Sequence, residues 1–260
     1  MIQPVLHQYD MGPGVMAFSS TRHGGVGKGN YASFNINYYC GDNPEDIETN
    51  REALCQLLGV DRFHLVYPHQ VHGDKVIIID SQWLESLSPA EKFFSLEGKD
   101  AVMTNLAGVC IGVSTADCIP VLLYDADHHA CCAVHAGWRG TAKRIVQKAV
   151  VCMAQAYGTS SLQLQAVIGP GISMECFEVG DEVYEQFVLA DFNMQLIAHR
   201  YAKWHIDLWE CNRIQLMEMG VAGANIHVAG ICTYTHCQDF FSARRMGINS
   251  GRIFSALMLK

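Results

Sequence analysis

The stretch STADCIPVLLYDADHHACCAVHAGWRG places Cys118 in a turn of small residues, His135 at the end of an apolar run, and Gly137, Trp138, Arg139 and Gly140 in the loop that follows. A thiol and an imidazole so placed can be a nucleophile with its general base, two ligands of one metal, or two buried side chains without chemistry. PHQVHG adds His69 and His72 just ahead of a strand. One thiolate and two imidazoles make a three-ligand zinc site with one open position, the arrangement of a catalytic rather than a structural metal. Spacing alone does not say which of these residues meet. Asp117, next to Cys118, can carry a proton or support a ligand histidine from behind.

The elements that must position these groups can be read from periodicity. VCIGVST and IPVLLYD read as strands around the turn at Ala116, Asp117 and Cys118, and ACCAVHA as a third strand that delivers His135 at its C-terminal end. Reactive residues suit strand ends, where the loop exposes them and the sheet fixes their direction. TAKRIVQKAVVCMAQAYG follows as a helix with one apolar stripe of Ala142, Ile145, Val146, Ala149, Val150, Met153, Ala154 and Tyr157, stopped by Gly158. Gly137, Arg139, Gly140 and Thr141 form a turn at its start that can hold an anion on backbone N–H groups and a guanidinium; alternatively the glycines only let Trp138 turn inward. GDNPEDIETNREALCQLLG reads as a helix capped by Asn43, with Pro44 in its first turn, Gly59 as its stop, and Leu54, Leu57 and Leu58 on the buried side. VHGDKVIIID and LQLQAVIGP read as further strands.

Composition bounds the class of protein. The chain has 260 residues, of which 50% are hydrophobic, enough for one substantial domain or two small ones. A formal charge of −8 leaves no basic footprint for a phosphate backbone, so nucleic acid is excluded as a partner, while small anions remain open to local arginines. The N-terminal MIQPVLHQYDMGPGVMAFSS has no charged region leading into an apolar one, and no run of about 18 apolar residues occurs, so we expect a cytoplasmic chain without membrane association. Eleven cysteines without any CxxC pair suit reduced thiols. None of the twelve histidines stands in a His-x-His pair, so a multicopper oxidase centre has little physical support, although a Cys-His-His set can take up copper in vitro. The nucleobase deaminase pattern His-x-Glu with Pro-Cys-x-x-Cys is also missing, because Ala136 and Gly137 follow His135.

Read in order, TRHGGVGKGNYASFNIN, GDNPEDIETNREAL, HQVHG, KDAVMT, STADCIPVLL, AVHAGWRG, GPGISMECFEVG, KWHIDL, ICTYTHCQDFFSARRMG and GRI resemble the YfiH-like family, from about Thr21 to Ile253. That family was long labelled polyphenol oxidase or laccase domain and is now regarded as purine nucleoside phosphorylases with adenosine deaminase activity. The resemblance implies an α+β fold, a single domain over residues 1–260 with two mixed β-sheets packed between helices, an α/β/β/α sandwich similar to the catalytic domain of the cytotoxic necrotizing factors. It implies zinc held by His72, Cys118 and His135, with His69 outside the pattern. Ala243 and Met246 depart from it, at positions the family often fills with an aromatic or polar residue and an acidic one.

The implied chemistry is stated physically. Zinc with three protein ligands lowers the pKa of a bound water from about 15.7 toward about 7, suited to attack at the purine C6 of adenosine. Phosphorolysis instead needs a phosphate held beside the ribose C1′. Arg22, Arg139, Arg244 and Arg245 are the candidates to hold it, each equally able to be a surface arginine. Asn35 and Gln70 offer neutral groups to a ribose hydroxyl or base edge, or to local backbone. Phe240 and Phe241 can stack on a purine or belong to the core. The expected partners are purine nucleosides and phosphate, with no obligate protein partner. The competing reading is a metal-free cysteine hydrolase with Cys118 as nucleophile and His135 as base. A zinc-bound thiolate and an acylating one are opposite demands on one sulfur.

Overall fold

A computed structural model describes residues 3–260; Met1 and Ile2, the start of the expected domain, lie outside the described residues. Two large mixed sheets carry the fold. The first runs β1 (Leu6–Tyr9), β2 (Val15–Ser20), β14 (Ile253–Leu259), β6 (Cys110–Thr115) and β3 (Leu65–Val66), antiparallel except for the last pair. The second runs β13 (Ile226–Val228), β9 (Gln165–Ile168), β7 (Ile119–Asp125), β8 (Ala130–Ala136), β5 (Ala101–Thr104) and β4 (Val76–Ile78), parallel only at its two edge pairs. A third, three-stranded sheet of β10 (Glu178–Val179), β12 (Trp204–Ile206) and β11 (Ala198–Arg200) adds to the two that were expected.

Alternation along the strands assigns the layers. Leu122, Tyr124, Cys131, Ala133 and Val102 of the second sheet face Ile111, Val113, Leu257 and Ala17 of the first and form the core between the sheets. Their neighbours Val121, Leu123, Cys132, Val134 and Met103 face outward, where α5 (Ile145–Tyr157) and α8 (Leu208–Glu218) cover them. On the far side, Phe18, Cys110, Phe254 and Ala256 of the first sheet pack under α1 (Pro44–Leu58). The result is an α+β molecule layered helix, sheet, sheet, helix. Strands buried on both faces read as continuous apolar runs, which is why IPVLLYD and ACCAVHA carry so few polar residues.

The expected α1 forms as read: the Asn43 side chain accepts from the backbone N–H of Glu45 at 2.8 Å and of Asp46 at 3.3 Å, and Gly59 takes φ 70°. Leu57 differs from expectation, being 46% exposed, because Ile47, Asn50, Leu54 and Leu58 fill the face turned to the sheet. The single helix expected over 141–157 is broken into α4 (Trp138–Ala142) and α5, with Arg144 in the left-handed region at φ 62°. Of the stripe, Ile145, Val146, Ala149, Val150 and Met153 are buried and Ala154 is exposed. VHGDKVIIID contributes only β4; the stretch before it is loop. The remaining helices are α2 (Ser81–Ser86), α3 (Pro89–Leu96), α6 (Asp181–Leu189), α7 (Met194–Ile197) and α9 (Ala243–Met246). Among the described residues no helix is long and apolar enough to cross a membrane.

Candidate metal centre and cavity

The register of the β7–β8 hairpin places the site. Pro120 pairs with His135 and Ile119 with Ala136, so Cys118, one residue before β7, lies at the same end of the sheet as His135. The loop between β3 and β4 brings His72 to them, with its backbone at φ 58°. The ligand atoms of His72, Cys118 and His135 all lie within 4.8 Å of one another. Gly137 makes room for the cluster: a Cβ there would stand 2.9 Å from Cys118 Sγ and 2.9 Å from His72 Cδ2. Gly140 is needed for a similar reason, since its Cβ would come within 2.9 Å of the Gly73 carbonyl oxygen. These glycines therefore serve close approach of chain to chain.

Asp100, just before β5, ties the histidines together. Its carboxylate accepts from His135 Nδ1 at 2.8 Å, from the His72 N–H at 2.9 Å and from the Gly73 N–H at 2.7 Å, while its carbonyl accepts the His135 N–H at 2.7 Å. With Nδ1–H given to Asp100, the Nε2 lone pair of His135 is left for a ligand. The carboxyl is fully buried, which opposes its ionisation, yet the His135 ring and the loop N–H groups hold its pKa below the usual range. Burial likewise opposes a Cys118 thiolate, but the charge of His135 and hydrogen bonds from both imidazoles outweigh it and bring the pKa down to about 6. Burial would lower the pKa of His135; the Cys118 thiolate and Asp100 raise it to about 9. One thiolate sulfur and two imidazole nitrogens, one of them braced by a carboxylate, fit a zinc ion.

Beside the cluster opens a cavity of about 540 Å³ lined by Tyr39, His69, Gln70, Ser114, Thr115, Ala243, Ile248, Asn249 and Arg252 among others. Gln70 lies on its wall, its amide paired both ways with the Ser114 backbone at 2.7 Å. His69 is outside the three-residue cluster; its Nδ1 meets Glu97 Oε2 at 2.7 Å and its ring stacks on Tyr39 at 3.8 Å.

Other candidates are placed elsewhere. Asp117 points away: one carboxylate oxygen accepts from Thr233 Oγ1 and the other from the Arg244 N–H, both at 2.7 Å, so Asp100 and not Asp117 braces the histidine. Arg22 donates to the carbonyl oxygens of Ala32 and Cys237, both at 2.7 Å, and lies 4.9 Å above the Phe241 ring. Arg139 is exposed on the Trp138 ring, Arg244 donates to the Glu178 carbonyl oxygen, and Arg245 lies over Tyr234. Asn35 is buried and spends its amide on Asp42, Asn37 and the Arg252 N–H. Phe240 and Phe241 are core residues with Ile253. None of these lines the cavity. Ala243, one of the two family departures, does, whereas the Met246 sulfur sits 3.7 Å from Arg22 Nη1. Sequence reading missed Asp100 and Arg252. A single carboxylate directly ahead of a strand, in KDAVMT, was the available sign of the first.

Comparison with known proteins agrees with this architecture. The family model described as Multi-copper polyphenol oxidoreductase laccase matches residues 16–260, and the chain belongs to that laccase-domain, YfiH-like family. It is 45% identical over 245 residues, 93% of this chain and 90% of the relative, to the purine nucleoside phosphorylase of Bacteroides thetaiotaomicron. It is 44% identical over 250 residues, 95% of each chain, to the adenosine deaminase RL5 of an unknown prokaryotic organism. The crystal structure of YlmD from Geobacillus stearothermophilus superposes with a TM-score of 0.87 at 29% identity, covering 95% of this chain and 92% of that one.

Proposed function

We propose that this chain is a zinc-dependent purine nucleoside enzyme of the cytoplasm, cleaving inosine, adenosine, guanosine or methylthioadenosine with phosphate and deaminating adenosine hydrolytically. The observation that carries the reading is the convergence of His72, Cys118 and His135 at the wall of a cavity able to admit a small molecule. The names of the relatives at 45% and 44% identity support the two activities. When bound, the metal supplies a Lewis acid and an activated water. The protein's own part is to hold Cys118 as a thiolate, to fix the His135 ring through Asp100, and to offer Gln70, Asn249 and the Tyr39–His69 stack to the nucleoside.

Metal analysis with nucleoside assays tests this. We expect about one zinc per chain, from the single three-ligand cluster, conversion of adenosine to inosine, and of inosine plus phosphate to hypoxanthine plus ribose 1-phosphate. Both Cys118→Ala and His135→Ala should lose zinc and turnover together; full zinc retention in both removes the metal reading. A second reading is favoured by one observation, the lowered Cys118 and raised His135 pKa values, which describe a thiolate–imidazolium pair backed by Asp100 in metal-free protein. Turnover of an activated ester by chelator-stripped protein, abolished in Cys118→Ala, together with no nucleoside turnover in the zinc form, would establish the hydrolase instead.

A further inference from the structure

Among the described residues, the cavity wall has no Asp or Glu and a single Lys or Arg, Arg252, in a chain of formal charge −8. Arg252 directly precedes β14 and is rigidly held. Its Nη1 donates to the carbonyl oxygens of Ser250 at 2.6 Å and Gly251 at 3.0 Å, and its Nη2 to that of Ile248 at 2.9 Å. Every acceptor its side chain meets is neutral. A guanidinium fixed in place without a carboxylate partner is suited to an anion arriving from solution.

A second, independent observation points the same way. Ser114 and Thr115, at the end of β6, line the same cavity, are 6% and 1% exposed, and their hydroxyls have no hydrogen-bond partner. Buried unpaired hydroxyls are unfavourable and call for a ligand or water. The Ser114 backbone is already committed to Gln70, so its hydroxyl is the group left over. Successive residues of a strand face opposite sides; Ser114 pairs with Phe254, two residues beyond Arg252, so its free hydroxyl shares a face with the fixed cation, and the two match a group made only of acceptor oxygens.

We propose that Arg252 and Ser114 form the subsite for inorganic phosphate, an inference that rests on the phosphorylase reading above. A phosphate held there donates an oxygen lone pair to the ribose C1′. The C1′–N9 bond breaks with its electrons passing to the purine, which takes up the proton given up by the attacking hydrogenphosphate and leaves as the free base. The arginines expected from sequence, Arg22, Arg139 and Arg244, are not on this wall.

The test combines calorimetric titration with inorganic phosphate and initial rates of inosine cleavage across a phosphate series, on the parent protein and on Arg252→Gln, Arg252→Lys and Ser114→Ala. Losing a charged hydrogen-bond partner should raise the phosphate KM about 10-fold or more in Arg252→Gln and leave the inosine KM within about two-fold. Arg252→Lys should fall between, and Ser114→Ala should weaken phosphate binding without lowering the thermal midpoint. Unchanged phosphate KM and binding in Arg252→Gln and Ser114→Ala overturns the subsite. Should Arg252→Gln raise both KM values and melt early, Ser114→Ala decides, because it leaves the 248–251 loop intact. Should the parent fail to cleave inosine, the phosphorylase reading falls and titration judges the subsite alone: phosphate binding weakened in Arg252→Gln keeps it, and no binding by the parent ends it.

Discussion

Asp100 is the residue on which both histidines of the cluster depend. It receives the ring proton of His135 and the backbone N–H groups that fix the His72 loop, and it does so from a position without solvent. In Asp100→Asn, an amide replaces an acceptor that faces several donors, so one of its own N–H groups must oppose them. Outer partners of metal-bound histidines typically contribute about 10–100-fold to metal affinity. We expect that loss for zinc, read by competition with a chromophoric chelator. Unchanged affinity would show that Asp100 serves only the loop. Asp117, though nearer in sequence, should not show this effect, since its carboxylate is taken by Thr233 and Arg244.

At the scale of elements, α1 shows how a local code supports a remote site. Its cap, first-turn proline and terminal glycine define where it starts and stops. From its buried face Asn50 reaches out, donating to the carbonyl oxygens of Ser33 and Asn35 at 3.1 and 2.9 Å and accepting from the Val26 N–H at 3.0 Å. The loop so tethered carries Asn35, whose side chain accepts the Arg252 N–H. Removing the cap in Asn43→Ala should cost about 1 kcal/mol of stability, measured by chemical denaturation, with zinc content unchanged. A loss of zinc in that variant would mean that the helix end and the cluster are coupled more tightly than this chain of contacts implies. By contrast α4 owes its short length to packing: the chain must leave the helix at Lys143 and Arg144 before α5 can lie across the sheet.

Over the whole molecule, the β7–β8 hairpin has the candidate site at one end and a buried carboxyl at the other. Cys118 and His135 lie at one; at the other, Asp125 is fully buried where β7 turns toward β8. Burial opposes ionisation of Asp125, but the neighbouring Thr159 hydroxyl, the His128 N–H and the His128 ring hold its pKa below the usual carboxylate range. A carboxyl depressed on folding stabilises the native state above its unfolded pKa, and that contribution disappears as pH falls through its folded value. The parent should therefore lose stability in acid faster than Asp125→Asn. Denaturation curves at neutral pH and in the acid range should show the gap between them narrowing as pH falls. A constant gap would assign Asp125 a role independent of its charge.

What the sequence by itself determined was local or patterned: the bounds of α1, the turn at Asp117 and Cys118 between two strands, the strand that delivers His135, and, through ten ordered motifs, the family with its two mixed sheets. Capping, turn chemistry and periodicity act over a few residues, so they are written where they act. Only the tertiary structure decided that Asp100 rather than Asp117 braces a histidine, that Arg252 rather than Arg22, Arg139 or Arg244 faces the cavity, that Asn35 bonds Asp42 and Phe241 packs in the core, and that a third small sheet forms. These depend on which strands become neighbours, as when β14 enters between β2 and β6 and carries Arg252 to the end of Ser114 and Thr115. A side chain's partner across such a junction is set by the pairing of distant segments, which no local spacing encodes.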